Sequence, residues 1–195
     1  MFTEQLQKTY FNHLINPTRL SREVRLLILE PSRWSVIQKF QVLTDGLTVE
    51  QLMVFATALK AELYAEGLVQ GNFTSQESRE FLQFFTEKLQ FQPLPAEGPV
   101  SFRVVELPQR HHLCKVKSLN RGDANSEVTV YYQSGLRQLR EHALMQLMVV
   151  HMEEPCFHFL RTEETLGYQV YPSCRNTSGV LGFSITVETQ ATKFR

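Results

Sequence analysis

The sequence predicts an α+β protein, helical in its first half and built mainly from antiparallel sheet plus helices in its second. Three observations carry that reading. Apolar residues recur three or four apart through much of the first ninety positions and again over 136–150, the period of one helix face. From Leu181 to Glu188 apolar and polar residues alternate strictly, the period of a strand with one buried face. Between these regions, Gln92–Pro99 holds three prolines and a glycine, which marks a linker.

In the first half, Phe2, Leu6, Tyr10 and Leu14 form one apolar stripe, and Pro17 and Pro31 mark helix boundaries because proline lacks the donor a helix interior needs. Asp45-Gly46 is a turn signal. Thr48 to Gln51 has capping-box spacing ahead of a helix carrying Leu52, Val54, Phe55 and Leu59. A strand is expected over Tyr64–Gly71. A second capping box, Thr74 to Glu77, opens a helix expected to pack Phe81, Phe84, Phe85 and Leu89 inward. A strand near Phe102–Leu107 follows.

In the second half, His112–Leu119 and Glu127–Gln133 read as paired strands around the polar loop Asn120–Ser126. Leu136, Leu139, Ala143, Leu147 and Val150 define a helix to about Met152. Pro155 suits the first turn of a further helix, which ends near Gly167. Tyr168–Cys174 and the strand from Leu181 form a hairpin around the turn Arg175–Gly179. The last residues, Ala191–Arg195, add no helix over the sheet.

Composition narrows the function classes. The 195 residues are 43% hydrophobic, and 20 Lys and Arg balance 20 Asp and Glu. Zero net charge argues against a nucleic-acid module that works by counterion release, and against a polybasic membrane patch. The longest apolar runs, such as Leu147–Val150, are far too short to span a bilayer, and Phe2–Tyr10 is no signal peptide. Three cysteines (Cys114, Cys156, Cys174) without a C-x-x-C pair indicate neither a disulfide framework nor a cysteine zinc site. A soluble, reduced, cytoplasmic chain is expected, with room for a cell-surface or exported pool.

Most chemical motifs fail on spacing. His142 and His151 are nine residues apart on one helix and face opposite sides. His151, Glu154 and His158 are interrupted by Pro155, and His112 with Cys114 lacks a second pair of ligands. H-E-x-x-H, H-x-x-E-H and the glycine-rich phosphate loops do not occur. Arg121-Gly122-Asp123 reads as a polar hairpin loop, and Asn72 and Asn176 as turn and cap residues. The segment from Arg161 to Tyr168 differs. Arg161 lies near a helix end and Tyr168 opens a strand, with Gly167 reversing the chain between them. Such a corner can aim a guanidinium and a phenol into one space, where they bind a peptide carbonyl and donate to an oxyanion. The plainer alternative pairs Arg161 with Glu163 or Glu164 and packs Tyr168 as a strand aromatic.

Glu153-Glu154-Pro155-Cys156-Phe157 followed by RTEETLGYQVYPSCRNTSGVLGFSITV resembles the C-terminal half of the insulinase (pitrilysin) family of inverted-motif zinc metallopeptidases. The resemblance extends through Val24–Glu30, Glu66–Asn72 and Gly122–Tyr132; R-T-x-x-x-L-G-Y is specific to the wider family, and the flanking C-R-N-T-S-G stretch narrows it. It implies parts of two metallopeptidase-like α/β-sandwich domains: 1–104 ending a third domain and 105–195 beginning a fourth. It implies a zinc endopeptidase cutting at pairs of basic residues, with zinc held by H-x-x-E-H in the other half and none bound by this chain. It assigns Arg161 and Tyr168 to substrate binding, and Tyr168 also to oxyanion stabilisation. The implied partners are basic-pair peptides and the enzyme's N-terminal half, with room for a homo-oligomer, but no nucleic acid and no membrane span. The chain alone is expected to be inactive; the rival reading is a non-catalytic peptidase-like binding module or subunit.

Overall fold

A computed structural model describes residues 2–94 and 102–190. Most of the proline-rich linker and the final residues 191–195 lie outside them. The described chain is α+β, as expected. Helices α1 (Phe2–Ile15), α2 (Pro17–Leu29), α3 (Val36–Asp45) and α4 (Val49–Ala61) are followed by β1 (Glu62–Leu63), α5 (Ser75–Leu89) and β2 (Gln92–Pro93). Then come β3 (Asn125–Leu136), α6 (Leu139–Cys156), a π-helix over Phe157–Glu163, β4 (Gln169–Thr177) and β5 (Val180–Gln190). Two compact units result, one from the segment up to Thr44 together with the segment from Phe102 onward, the other from the segment beginning at Asp45 between them.

In the first unit, α2 starts where the sequence places it. Pro17 occupies the first turn and the Asn16 side chain accepts from the Arg19 amide at 2.9 Å. Of the expected α1 stripe only Leu14 is buried, while Phe2 and Leu6 are exposed. Leu14, Leu29, Val36 and Leu43 form the buried part of this helical region.

The sheet has the order β3-β5-β4, all antiparallel. The expected hairpin forms, but β4 runs on to Thr177 and the turn tightens to Ser178-Gly179, with φ of 45° and 87°. Positive φ at both central residues is what a two-residue hairpin loop demands, and glycine meets it at little cost. β5 was expected to bury one face; the structure buries both. Leu181, Phe183 and Val187 are buried on one side, Ser184 and Thr186 on the other. The polar side lies against α2, where Thr18 donates to Glu188 (2.9 Å), Arg25 reaches Thr177 (3.4 Å) and the Arg25 guanidinium stands 5.4 Å over the Tyr131 ring. Tyr131 lies across Gly182, where a Cβ would come within 2.4 Å of its ring.

Other expectations are corrected. Residues 102–107 and 112–119 form no strand. The partner of β3 is β5, and the first of these segments is held by the Val105 amide donating to the Leu29 carbonyl at 2.8 Å and by one side chain. Gln133 donates to the Val105 carbonyl and accepts from the Leu107 amide, both at 2.8 Å, so its amide replaces a stretch of ladder. Helix α6 begins at Leu139, not Leu136, and runs through Pro155 rather than restarting there. Proline near the C-terminal end removes one donor only, and the chain continues by widening into the π-helix. The stripe Leu139, Leu147, Val150 is exposed; Met145, Val149, Met152 and Cys156 are the more buried side. Both stripes have helical spacing, so periodicity alone does not choose between them.

In the second unit both capping boxes form, with Thr48 accepting from Gln51 and Thr74 from Glu77. Yet α4 and α5 hold no buried residue, and Phe81, Phe84 and Phe85 are exposed rather than inward. Caps and propensity make these helices locally, whereas burial needs a facing surface. The strand expected over 64–71 is absent. β1 pairs with β2 for two residues in parallel, and Leu68 beyond it is 89% exposed.

Candidate functional site

The corner at residues 156–168 rests on a small apolar core. Cys156, Val170 and Val187 are buried there, with Met152, Leu160, Leu166 and Ile185 packed around them. Burial pushes the Cys156 thiol pKa up, which keeps it protonated and inert. Above this base the π-helix ends in two backbone bonds, Glu164 to Phe159 at 2.9 Å and Leu166 to Leu160 at 3.0 Å. Thr165 takes φ 49°, turning the chain back toward the sheet.

Gly167 then passes so close to β5 that a Cβ would lie 2.2 Å from the Glu188 carbonyl oxygen and 2.7 Å from Val187 Cγ1. The helix end expected near Gly167 falls earlier, at Glu163, and the positive φ is taken by Thr165; what Gly167 supplies is space. Beside it the Tyr168 amide donates to the Glu188 carbonyl at 2.9 Å, which ties Tyr168 to the sheet before β4 begins.

Arg161 and Tyr168 are brought together. The Arg161 guanidinium carbon is 5.4 Å from the Tyr168 ring centroid and 4.6 Å from that of Phe157, so aromatic rings lie within stacking range at two positions. Among the described residues Arg161 makes no ion pair. Glu163 instead meets His158 Nε2 at 3.1 Å. Tyr168 is 82% exposed, so it is not a packed strand aromatic. A half-buried guanidinium and a free phenol thus face the same solvent. This set can bind a carbonyl or carboxylate oxygen and donate to a developing negative charge. Phe157 is the residue that sequence reasoning missed as part of the corner. Its signal is the i, i+4 spacing to Arg161.

The remaining expected groups stay apart. His112 accepts from Arg110 at 3.2 Å, Cys114 is exposed, and Gly122 donates to the Asn120 side chain within the polar loop. Among the described residues no three His, Cys, Asp or Glu side chains gather to hold a metal ion. No helix among the described residues is long and apolar enough to cross a membrane.

Residues 46–194, most of the chain and the whole corner among them, match the family profile described as "Peptidase M16 inactive domain", and the chain belongs to that family. It is 66% identical over 194 residues to "Nardilysin" from Homo sapiens and equally to that from Mus musculus, covering 100% of this chain. It is 29% identical over 171 residues to "Insulin-degrading enzyme" from Homo sapiens, covering 86% of the chain. It is 30% identical over 189 residues to "Nardilysin-like" from Arabidopsis thaliana, covering 95%. The chain spans only 16–18% of the length of these relatives.

Proposed function

We propose that this chain is a C-terminal-half portion of a nardilysin-like zinc metalloendopeptidase that cleaves peptides at pairs of basic residues. It contributes substrate binding and oxyanion stabilisation; the zinc site lies in the enzyme's N-terminal half, which is its partner. Residues 1–104 end one peptidase-like domain and 105–195 begin the next. The enzyme works in the cytoplasm, with room for a homo-oligomer. The observation that supports this reading is the Arg161 guanidinium carbon 4.6 Å from the Phe157 ring centroid and 5.4 Å from that of Tyr168, with no carboxylate partner among the described residues. Arg161 holds a backbone carbonyl of the extended peptide through its N–H edge. The Tyr168 phenol donates to the oxygen of the scissile carbonyl as negative charge develops.

In the full-length polypeptide carrying this segment, Tyr168→Phe is expected to lower kcat by about 10-fold or more on a dibasic peptide. An unchanged kcat would remove the phenol from the chemistry. The chain by itself is expected to turn over none of that peptide, and measured turnover would overturn the division of labour. A second reading, a non-catalytic peptidase-like module, draws on the word "inactive" in the family description. It expects a stable complex with a partner and no effect of Arg161→Ala on proteolysis.

A further inference from the structure

We propose that Phe157 is a positioning residue, clamping the Arg161 guanidinium against Tyr168 so that only its N–H edge faces the peptide. This rests on the reading of Arg161 and Tyr168 given above and adds a third member to their set. The ring centroids of Phe157 and Tyr168 stand 4.6 and 5.4 Å from the guanidinium carbon. They come from opposite ends of the corner, Phe157 from the first residue of the π-helix and Tyr168 from the entry to β4.

A long arginine side chain samples many rotamers, and on an exposed turn it would meet its nearest carboxylate. Two features prevent that here. Aromatic rings attract a cation toward their faces, which restricts the guanidinium plane without using its N–H donors. One competing acid, Glu163, is turned to His158 at 3.1 Å. All five donors of Arg161 thus stay available while the plane is held, which is what oriented binding of a carbonyl requires. Phe157 and Arg161 stand four apart in the winding that follows Pro155, a spacing that brings their side chains to the same side of it.

The test compares Phe157→Leu, Phe157→Tyr, Arg161→Ala and the Phe157→Leu/Arg161→Ala double variant in the full-length polypeptide, with kcat and KM measured separately on a dibasic peptide. Phe157→Leu is expected to lower kcat/KM about 3- to 30-fold, mainly through KM. Phe157→Tyr should restore it, and Phe157→Leu should cost nothing further once Arg161 is alanine. In this chain, the Arg161 Cδ protons should show upfield ring-current shifts by NMR that Phe157→Leu reduces. If Arg161→Ala lowers kcat/KM while Phe157→Leu does not, or if the Phe157→Leu loss persists in full without Arg161, the clamp is wrong and the role of Arg161 stands. If neither variant alters kinetics, the reading of Arg161 falls as well. Absence of the ring-current shift in the unaltered chain refutes the clamp whatever the kinetics.

Discussion

Gly167→Ala puts the corner's construction to a direct test. The added methyl would sit 2.2 Å from the Glu188 carbonyl oxygen, 2.7 Å from Val187 Cγ1 and 3.0 Å from the Glu188 carbonyl carbon. Two of these neighbours are backbone atoms of β5, so no rotamer change relieves the contact. Ordinary van der Waals separation requires the entry to β4 and the end of β5 to part by roughly 1 Å, comparable to the overpacking that costs about 1–3 kcal/mol in cores. The same parting weakens the 2.9 Å bond from the Tyr168 amide to the Glu188 carbonyl, adding about 1 kcal/mol. The sum is about 2–4 kcal/mol, a large share of a typical folding free energy of about 5–15 kcal/mol. Urea unfolding followed by far-UV circular dichroism measures it, with the hydrogen exchange of the Tyr168 amide as a local reporter. A destabilisation under about 0.5 kcal/mol with unchanged Tyr168 exchange would show that the corner has slack and that glycine is not needed for close approach.

Other expectations concern the rest of the first unit. The Tyr131 hydroxyl is buried without a hydrogen-bond partner among the described residues, so Tyr131→Phe should leave stability unchanged or raise it by up to about 1–3 kcal/mol; a loss beyond about 1 kcal/mol would reveal a partner for that hydroxyl. Burial raises the Tyr131 phenol above its ordinary value, against the lowering effect of Arg25 and Arg175. The stability this contributes is fully present below the unfolded phenol's pKa of about 10 and is lost as pH rises through the folded value, so Tyr131→Phe should flatten the alkaline limb of a stability–pH curve. Gln133→Leu removes both 2.8 Å bonds to residues 105 and 107 and should cost about 1–2 kcal/mol, with faster exchange at the Leu107 amide; unchanged exchange there would show that the segment is held some other way.

Local signals in the sequence translated well into local structure. The two capping boxes, the Pro17 helix start and the alternation around Ile185 each depend on residues a few positions apart, and each element is where that chemistry puts it. Pairing was harder to read because it depends on distant residues. Residues 112–119 read as a strand beside 127–133, but β5, distant in the sequence, gives β3 its long antiparallel partner. The apolar spacing on α6 is equally real on two faces, and only the tertiary contact through Cys156 separates them. At the corner, Arg161 and Tyr168 were readable as neighbours across a reversal. Phe157 was not, because its link to Arg161 rests on i, i+4 spacing alone, a pattern that many helical residues share.

The two unlike faces of β5 have a consequence for how the sheet chooses its alignment. Side chains alternate strictly, so a slip of one residue would carry Ser184 and Thr186 into the apolar layer with Cys156 and Val170, and Phe183 and Val187 under Thr18 and Arg25. Either half of that exchange strands hydroxyls without acceptors or presses hydrocarbon against a guanidinium. The central strand is thus proofread from both sides at once, and a misaligned hairpin meets opposition as α6 and α2 close over it.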